Sequence, residues 1–445
     1  MSEATTEVRV PVRELLRLGV PAVVIGVFSA LTLVALSELA ALLEHWLWGT
    51  LPDRVGVDPD SAPWIIGILT TTGLAVGLII RFAPGNAGPD PATHGLVSVP
   101  LPPRVLPGLA AAMVLTLAGG VSLGPENPIM AINAALVVAV GARLMPRVHV
   151  PAWIVLTTAG TLGAMFGTPV AAALMLSEIN PGDRRTPLWD RLFAPLVAAI
   201  AGALTSARLE DFTFDVELPA YEWGGVRDVG LAVVISLGAT ALGLVASYAF
   251  TPMHRLVHRI GSPVLLLTLG GLALGVLGVV GGPVTLFKGL DQMKELPERA
   301  GSTTALGFLA LAVIKLLAML VASTTAFRGG RIFPVVFVGV ALGFAIGTAW
   351  PAVPMALAVG AATTGILVAA TRSGWLSVFI AVAIVSDVTL LPALIAAMLA
   401  GWVLVSNRPE LVARDEAVSD EPVSDGPVRA APSDGGAPPN DPPAT

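Results

Sequence analysis

The sequence predicts an all-α polytopic membrane protein built of tilted and broken helices. Three observations predict it. Of 445 residues, 55% are hydrophobic and only 13% charged, against about 25% charged in an ordinary soluble chain. Mean hydropathy is +0.81. The apolar runs also come in two kinds, full-length and interrupted.

A bilayer core about 30 Å thick takes roughly 20 apolar residues per straight helix. Residues 19–43, 63–81, 191–207, 228–250 and 304–326 meet that length. Residues 105–119, 126–142, 149–165, 168–179, 332–349, 353–370 and 375–401 are cut by Gly and Pro and read as half-helices or tilted helices. Broken backbone at membrane depth is tolerated where it is buried in protein or lines a cavity. Paired interruptions in two halves of a chain point to a transport site.

Residues 1–14 read as a cytoplasmic N-terminal segment, because Arg9, Arg13 and Arg17 precede or open the first span. No cleavable signal is expected there. Residues 15–406 form the membrane domain. It divides into two repeats, about 15–207 and 226–406, on a loose echo. "GGVSLGPENPIMAINAAL" (119–136) and "FRGGRIFPVVFVGVALG" (327–343) share a Gly-rich approach, a Pro and a small-residue apolar helix. Residues 407–445 read as a disordered, acidic, Pro-rich tail. Eight acids against three bases give it −5 of the chain's −6, so the membrane body is near neutral. The absence of cysteine excludes disulfides, thiolate metal sites and cysteine nucleophiles.

Three junctions between apolar runs carry candidate chemistry. In "GPENPIM" (124–130), Glu126 stands between Pro125 and Pro128. A carboxylate in the membrane costs about 2.5–3.5 kcal/mol on insertion scales. In the first turn of a helix, free N–H groups and the helix dipole offset that cost. A site that holds a carboxylate this way also suits a small anion, so Glu126 could act as a gate. A plain helix cap would use the same spacing. In "GNAGPDP" (85–91), Asn86 could offer its amide to an anion, or the stretch could be an interfacial loop. In "RGGRIFP" (328–334), Gly329 and Gly330 allow close backbone approach, Pro334 marks a helix start, and N–H groups near Arg331 and Ile332 could face an anion. Arg328 and Arg331 add positive charge, or serve as an arginine-flanked loop.

One helix terminus supplies about 0.3–1 kcal/mol, up to ~2 when partly buried. That is too little to dehydrate an anion. Several termini converging on one point make a selectivity site plausible.

In order and spacing, these junctions resemble the signature loops of the CLC chloride channels and proton–chloride exchangers. GSGIPE, GREGP and GGIFAP correspond to "GNAGPD" (85–90), "GPENP" (124–128) and "GGRIFP" (329–334). "MFGTPVAAALMLSEI" (165–179) is similar to the FNAPLAGxLFxxEE helix. The resemblance covers about 15–405. It implies a homodimer of inverted-repeat subunits, each with its own anion pore, with Glu126 as gating glutamate and Asn86, Arg331 and Ile332 at the anion site.

The departures are specific. Asn86 replaces the anion-coordinating serine, a position where the fluoride-exporting branch also departs. The late central tyrosine has no counterpart, the only tyrosines being Tyr221 and Tyr248. In the EE pair, Glu178 matches the first Glu and Ile179 replaces the proton-passing second. Arg331 stands in an isoleucine position. Pro125 replaces arginine and removes one N–H.

Other candidates are weaker. Lys315 is an isolated intramembrane base expected to pair with Glu178, Glu38 or Asp387, or to snorkel. Asp387 reads as a helix cap. His254 and His258 have an i, i+4 spacing that metals use, but no third ligand follows in sequence, so they read as part of a basic cytoplasmic loop. Neither metal nor cofactor is expected. P-loop, HExxH and GxSxG motifs are absent, and so is a nucleic-acid patch.

The expected function is transport of small inorganic anions, chloride first, through a glutamate-gated pore in the cell membrane without proton coupling. The rival readings are a fluoride/proton antiporter and a cation-coupled transporter of an organic anion. A lipid-directed enzyme and a non-transporting scaffold rank below these.

Overall fold

The computed structural model describes residues 10–95, 100–146, 148–179, 186–209 and 213–413. Residues 1–9 and 414–445, which hold most of the expected N-terminal segment and acidic tail, lie outside the described residues.

The chain folds into helices in a repeating succession. The first half holds α1 (Val12–His45), α2 (Leu51–Val55), α3 (Ala62–Phe82), α4 (Leu106–Ala118), α5 (Glu126–Leu144), α6 (Val150–Phe166), α7 (Pro169–Ile179) and α8 (Leu188–Leu209). The second holds α9 (Val226–His258), α10 (Pro263–Gly281), α11 (Leu290–Met293), α12 (Leu296–Arg299), α13 (Ala305–Thr324), α14 (Ile332–Ala349), α15 (Met355–Thr371), α16 (Gly374–Val385) and α17 (Leu391–Val405). Among the described residues, nine helical stretches are long and apolar enough to cross a membrane. The shorter apolar helices include α6, α7, α15 and α16.

Local chemistry sets the boundaries. Proline opens α4, α6, α10 and α17 within their first two positions, where its missing N–H costs nothing. The Ser262, Thr304 and Ser373 side chains cap α10, α13 and α16. The interrupted run at 375–401 separates into α16 and α17. Asp387 caps the turn between them, accepting hydrogen bonds from the Thr389 backbone and hydroxyl.

Small residues let the helices cross closely. Gly26 of α1 meets the Ala198 carbonyl of α8, and Gly202 of α8 meets that of Gly160 in α6. The other half has its own trio of α9, α15 and α17. There Gly365 meets the Ser236 carbonyl, and the Ser236 hydroxyl donates to the Ala397 carbonyl. Helices α3 and α10 pack face to face through Gly73, Gly77, Gly271 and Gly275. The α10 span was not among the expected full-length runs. Its glycines are the contact surface for α3. At the centre, α14 and α15 are buried on nearly every side, as helices apolar all round must be.

Lys315 is fully buried and does not pair with Glu178, Glu38 or Asp387. Its ammonium donates to the carbonyls of Thr285, Leu286 and Phe287 at 3.0, 2.8 and 2.7 Å. It lies 5.3 Å from the Phe337 ring centre. The loop so held is stitched in turn to residues 119–122. The Phe287 N–H donates to the Gly120 carbonyl, and the Ser122 hydroxyl to that of Thr285.

The packed chain also runs past the expected boundary at 406. Leu411 and Ala413 are buried, and the Ala413 N–H donates to the Ala92 carbonyl. Arg372 holds the carbonyls of Val405, Arg408 and Pro409. Composition assigned 407–413 to the tail because it counts polar residues and not the two apolar side chains that anchor the segment.

Candidate functional site

The site begins with two matching chain breaks. After α4 and after α13 the backbone makes a two-residue turn, passes through a glycine bridge and enters a helix. The new helices open as Glu126-Asn127-Pro128 and Ile332-Phe333-Pro334. Proline in the third position brings no N–H of its own. The first two residues of each helix therefore carry the free donors of that terminus.

The breaks are joined to each other. Gly124 and Gly330 form an antiparallel bridge, N–H to carbonyl in both directions at 2.9 and 2.6 Å. This brings the start of α5 against the start of α14. The Glu126 side chain crosses the gap, and its Oε1 accepts a hydrogen bond from the Phe333 N–H at 2.8 Å. Glu126 is fully buried. Its Oε2 has no hydrogen-bond partner among the described residues. A Cβ on Gly124 or Gly330 would overlap the carboxylate, so both glycines make room for it.

The third junction is tied to the same place by Arg328. Residues 85–88 all have positive φ, from 52° to 86°, which turns successive carbonyls toward one side. The buried Arg328 guanidinium takes those of Asn86, Ala87 and Gly88 at 2.9, 3.1 and 2.8 Å. Its charge is absorbed by the loop.

Two cavities flank Glu126. One, of about 210 Å³, touches Pro125 and Phe333 and is also lined by Glu38 and Lys288. The other, of about 130 Å³, touches Asn127 and Ile332 and is also lined by Arg331, Arg372 and Ser373. Neighbouring residues at the two helix starts thus face different spaces.

The remaining sequence candidates fall around this centre. Ile332 is buried and lines the smaller cavity. Arg331 is half-buried; its guanidinium bonds the carbonyls of Leu411 and His94 and lies over the Phe250 ring. Asn86 is exposed, and its carbonyl is held by Arg328. Glu178 accepts from the Ser373 hydroxyl and, at 2.7 Å, from the Trp375 N–H, at the start of α16; Ser373 in turn lines the smaller cavity. The sequence reading did not name Phe333, the donor to Glu126. The signal was present in Pro334, since the residue before a third-position proline is the last free donor of that turn.

Comparison with known proteins agrees with this architecture. Residues 72–405 match the family described as "Voltage gated chloride channel". Relatives in Escherichia coli O1:K1 and O157:H7, each named "Putative ion-transport protein YfeO", are 50% identical over 400 residues, 90% of this chain and 96% of theirs. A CLC-type fluoride/proton antiporter has the same fold, with a TM-score of 0.71 at 19% identity over 90% of this chain and 98% of that one. A slow cyanobacterial Cl⁻/H⁺ antiporter superposes with a TM-score of 0.73 at 13% identity over 88% and 96%. A multi-pass chain with paired helix breaks, a carboxylate between them and half of 400 aligned residues shared with these relatives belongs to the voltage gated chloride channel family.

Proposed function

We propose that the protein carries small inorganic anions, chloride first, across the cell membrane, with Glu126 as the gate. The observation that supports this most is the Glu126 carboxylate on the Phe333 N–H, between two cavities. An anion reaching that point needs the same donor. The carboxylate and the permeant ion therefore exclude one another, and protonation or displacement of the side chain opens the path. Two helix termini favour negative charge there, each by about 0.3–2 kcal/mol.

Cavity size favours a small ion over an organic anion. Sites for organic ligands run to about 300–1,000 Å³, and the flanking spaces are near 210 and 130 Å³. Ile332 and Arg331 line the approach from the smaller cavity, and Asn86 is tied to this centre through Arg328. With Ile179 in place of a second acid, the reading is a pore without proton coupling. Glu178, bonded to Ser373 at the wall of the smaller cavity, is the acid that would pass protons if coupling exists. Subunits are expected to pair as homodimers.

A second reading, fluoride/proton antiport, is favoured by Asn86 in the serine position. One experiment separates the two. Purified protein in liposomes is given chloride or fluoride, and halide and proton fluxes are recorded together. Chloride flux without proton movement supports the first reading. Fluoride flux with stoichiometric counter-moving protons supports the second. Absence of both halide fluxes rejects the assignment.

A further inference from the structure

The i, i+4 histidines of α9 gain a third partner that sequence spacing could not reveal. Asp90 lies 164 positions before His254. Its Oδ2 faces His254 Nε2 at 2.9 Å and His258 Nε2 at 3.3 Å. The imidazole rings are stacked, with centroids 3.9 Å apart. All three ligand atoms lie within 4.8 Å of one another.

We propose that Asp90, His254 and His258 form a binding site for a divalent transition cation of the Zn²⁺ class. The spacing suits one. Metal–ligand bonds of about 2.0–2.2 Å in a tetrahedral shell place neighbouring ligand atoms ~3.3 Å apart. The tautomer suits it too. His258 Nδ1 lies 3.0 Å from the His254 carbonyl, which only accepts, so this nitrogen carries the hydrogen. In the neutral ring, Nε2 then presents a lone pair to a carboxylate oxygen. Two acceptors at that distance need a proton or a cation between them. An imidazole whose far N–H is held by a carbonyl is the usual partner arrangement of a metal ligand.

The carboxylate is positioned as well. Asp90 Oδ1 accepts from the Ala92 N–H at 2.9 Å, which leaves Oδ2 for the site. The side chains of His254, Asp90 and His258 are 14, 20 and 34% exposed, so an ion has a route in and room for a water as fourth ligand. Imidazole with one carboxylate suits Zn²⁺ better than Mg²⁺ or Ca²⁺. Asp90 follows by two residues the loop that Arg328 grips. A bound ion would fasten the end of α9 to that loop.

The test uses the full chain, purified, freed of any polyhistidine tag and stripped with chelator, then titrated calorimetrically with Zn²⁺. One ion per chain should bind with saturation below about 0.1 mM. Affinity should fall at least ~10-fold in Asp90→Asn, His254→Gln and His258→Gln, and stay unchanged in His94→Gln. No saturation by that concentration, or equal binding in the site variants, overturns the proposal. Histidine modification on the unmutated protein avoids any folding artefact. Zn²⁺ should protect His254 and His258 from diethylpyrocarbonate and leave His149 reactive. Undiminished modification of the pair also overturns it. These readouts do not depend on anion transport, so they stand or fall apart from the proposed function.

Discussion

The carboxylate of Glu126 caps a helix that begins 206 residues later, through the N–H of Phe333. The sequence led us to expect this acid to settle on its own helix start. It crosses instead to the corresponding terminus in the other half, because the Gly124–Gly330 bridge brings the two starts together.

Replacing Glu126 should release the Phe333 donor. Glu126→Ala is expected to change chloride flux in liposomes by at least about tenfold, equivalent to ~1.4 kcal/mol, and to remove any response to pH. Glu126→Gln keeps the shape without the charge and should shift flux in the same direction. Wild-type flux in both variants would retire the gate.

Gly330→Ala introduces a methyl group into the space of the carboxylate. Overpacking of this kind costs roughly 1–3 kcal/mol. The variant should fold with a lowered Tm in detergent and an altered flux. Shortening the acid in Glu126→Ala/Gly330→Ala should recover part of the lost Tm. If the double variant is no more stable than the single one, the overlap is not with the acid.

Arg328→Met should free the Asn86, Ala87 and Gly88 carbonyls from their shared donor. Hydrogen bonds to a charged group are worth about 1.5–3 kcal/mol, so a loss near 3 kcal/mol is expected. Limited proteolysis should then cut within residues 85–95. Arg328→Lys should fall between, since an ammonium lacks the planar fork that reaches several carbonyls.

Lys315→Met removes the donor to Thr285, Leu286 and Phe287. Leaving buried acceptors unmatched costs roughly 1–3 kcal/mol. Thermal unfolding in detergent should report the loss. An unchanged Tm would mean that the loop finds other donors.

Hydropathy and proline placement were enough to read most of the fold. The long spans and the short helices α6, α7, α15 and α16 fall where apolar runs and Gly/Pro interruptions put them, because both signals are local; α5 and α14, expected as half-helices or tilted helices, run unbroken for 19 and 18 residues. The α10 helix escaped because its glycines look like breaks in sequence and act as contact surface against α3. The Glu126 junction was legible for a related reason: an acid flanked by prolines in an apolar setting is costly enough to stand out. Its partner was not. Pro334 marks the Phe333 N–H as a free donor, but only the pairing of two remote turns makes it the partner of Glu126. Arg328 and Arg331 were seen as charge for an anion. The structure commits both to backbone carbonyls, which no residue pattern announces. The same blindness to distance hid Asp90 from the two histidines.

The paired hydrogen bonds between Gly124 and Gly330 also bear on speed. A latch that fastens both turns together leaves little need for bulk rearrangement of the scaffold. With Glu126 as the proposed gate, clearing the way takes the rotation of one buried side chain about its own bonds, slower than the ps–ns flips of exposed side chains but without the μs–ms rocking of whole domains. A conduit worked like a turnstile rather than a swing door would be spared the slow step of moving whole helices through lipid. Its throughput should therefore vary only weakly with bilayer stiffness.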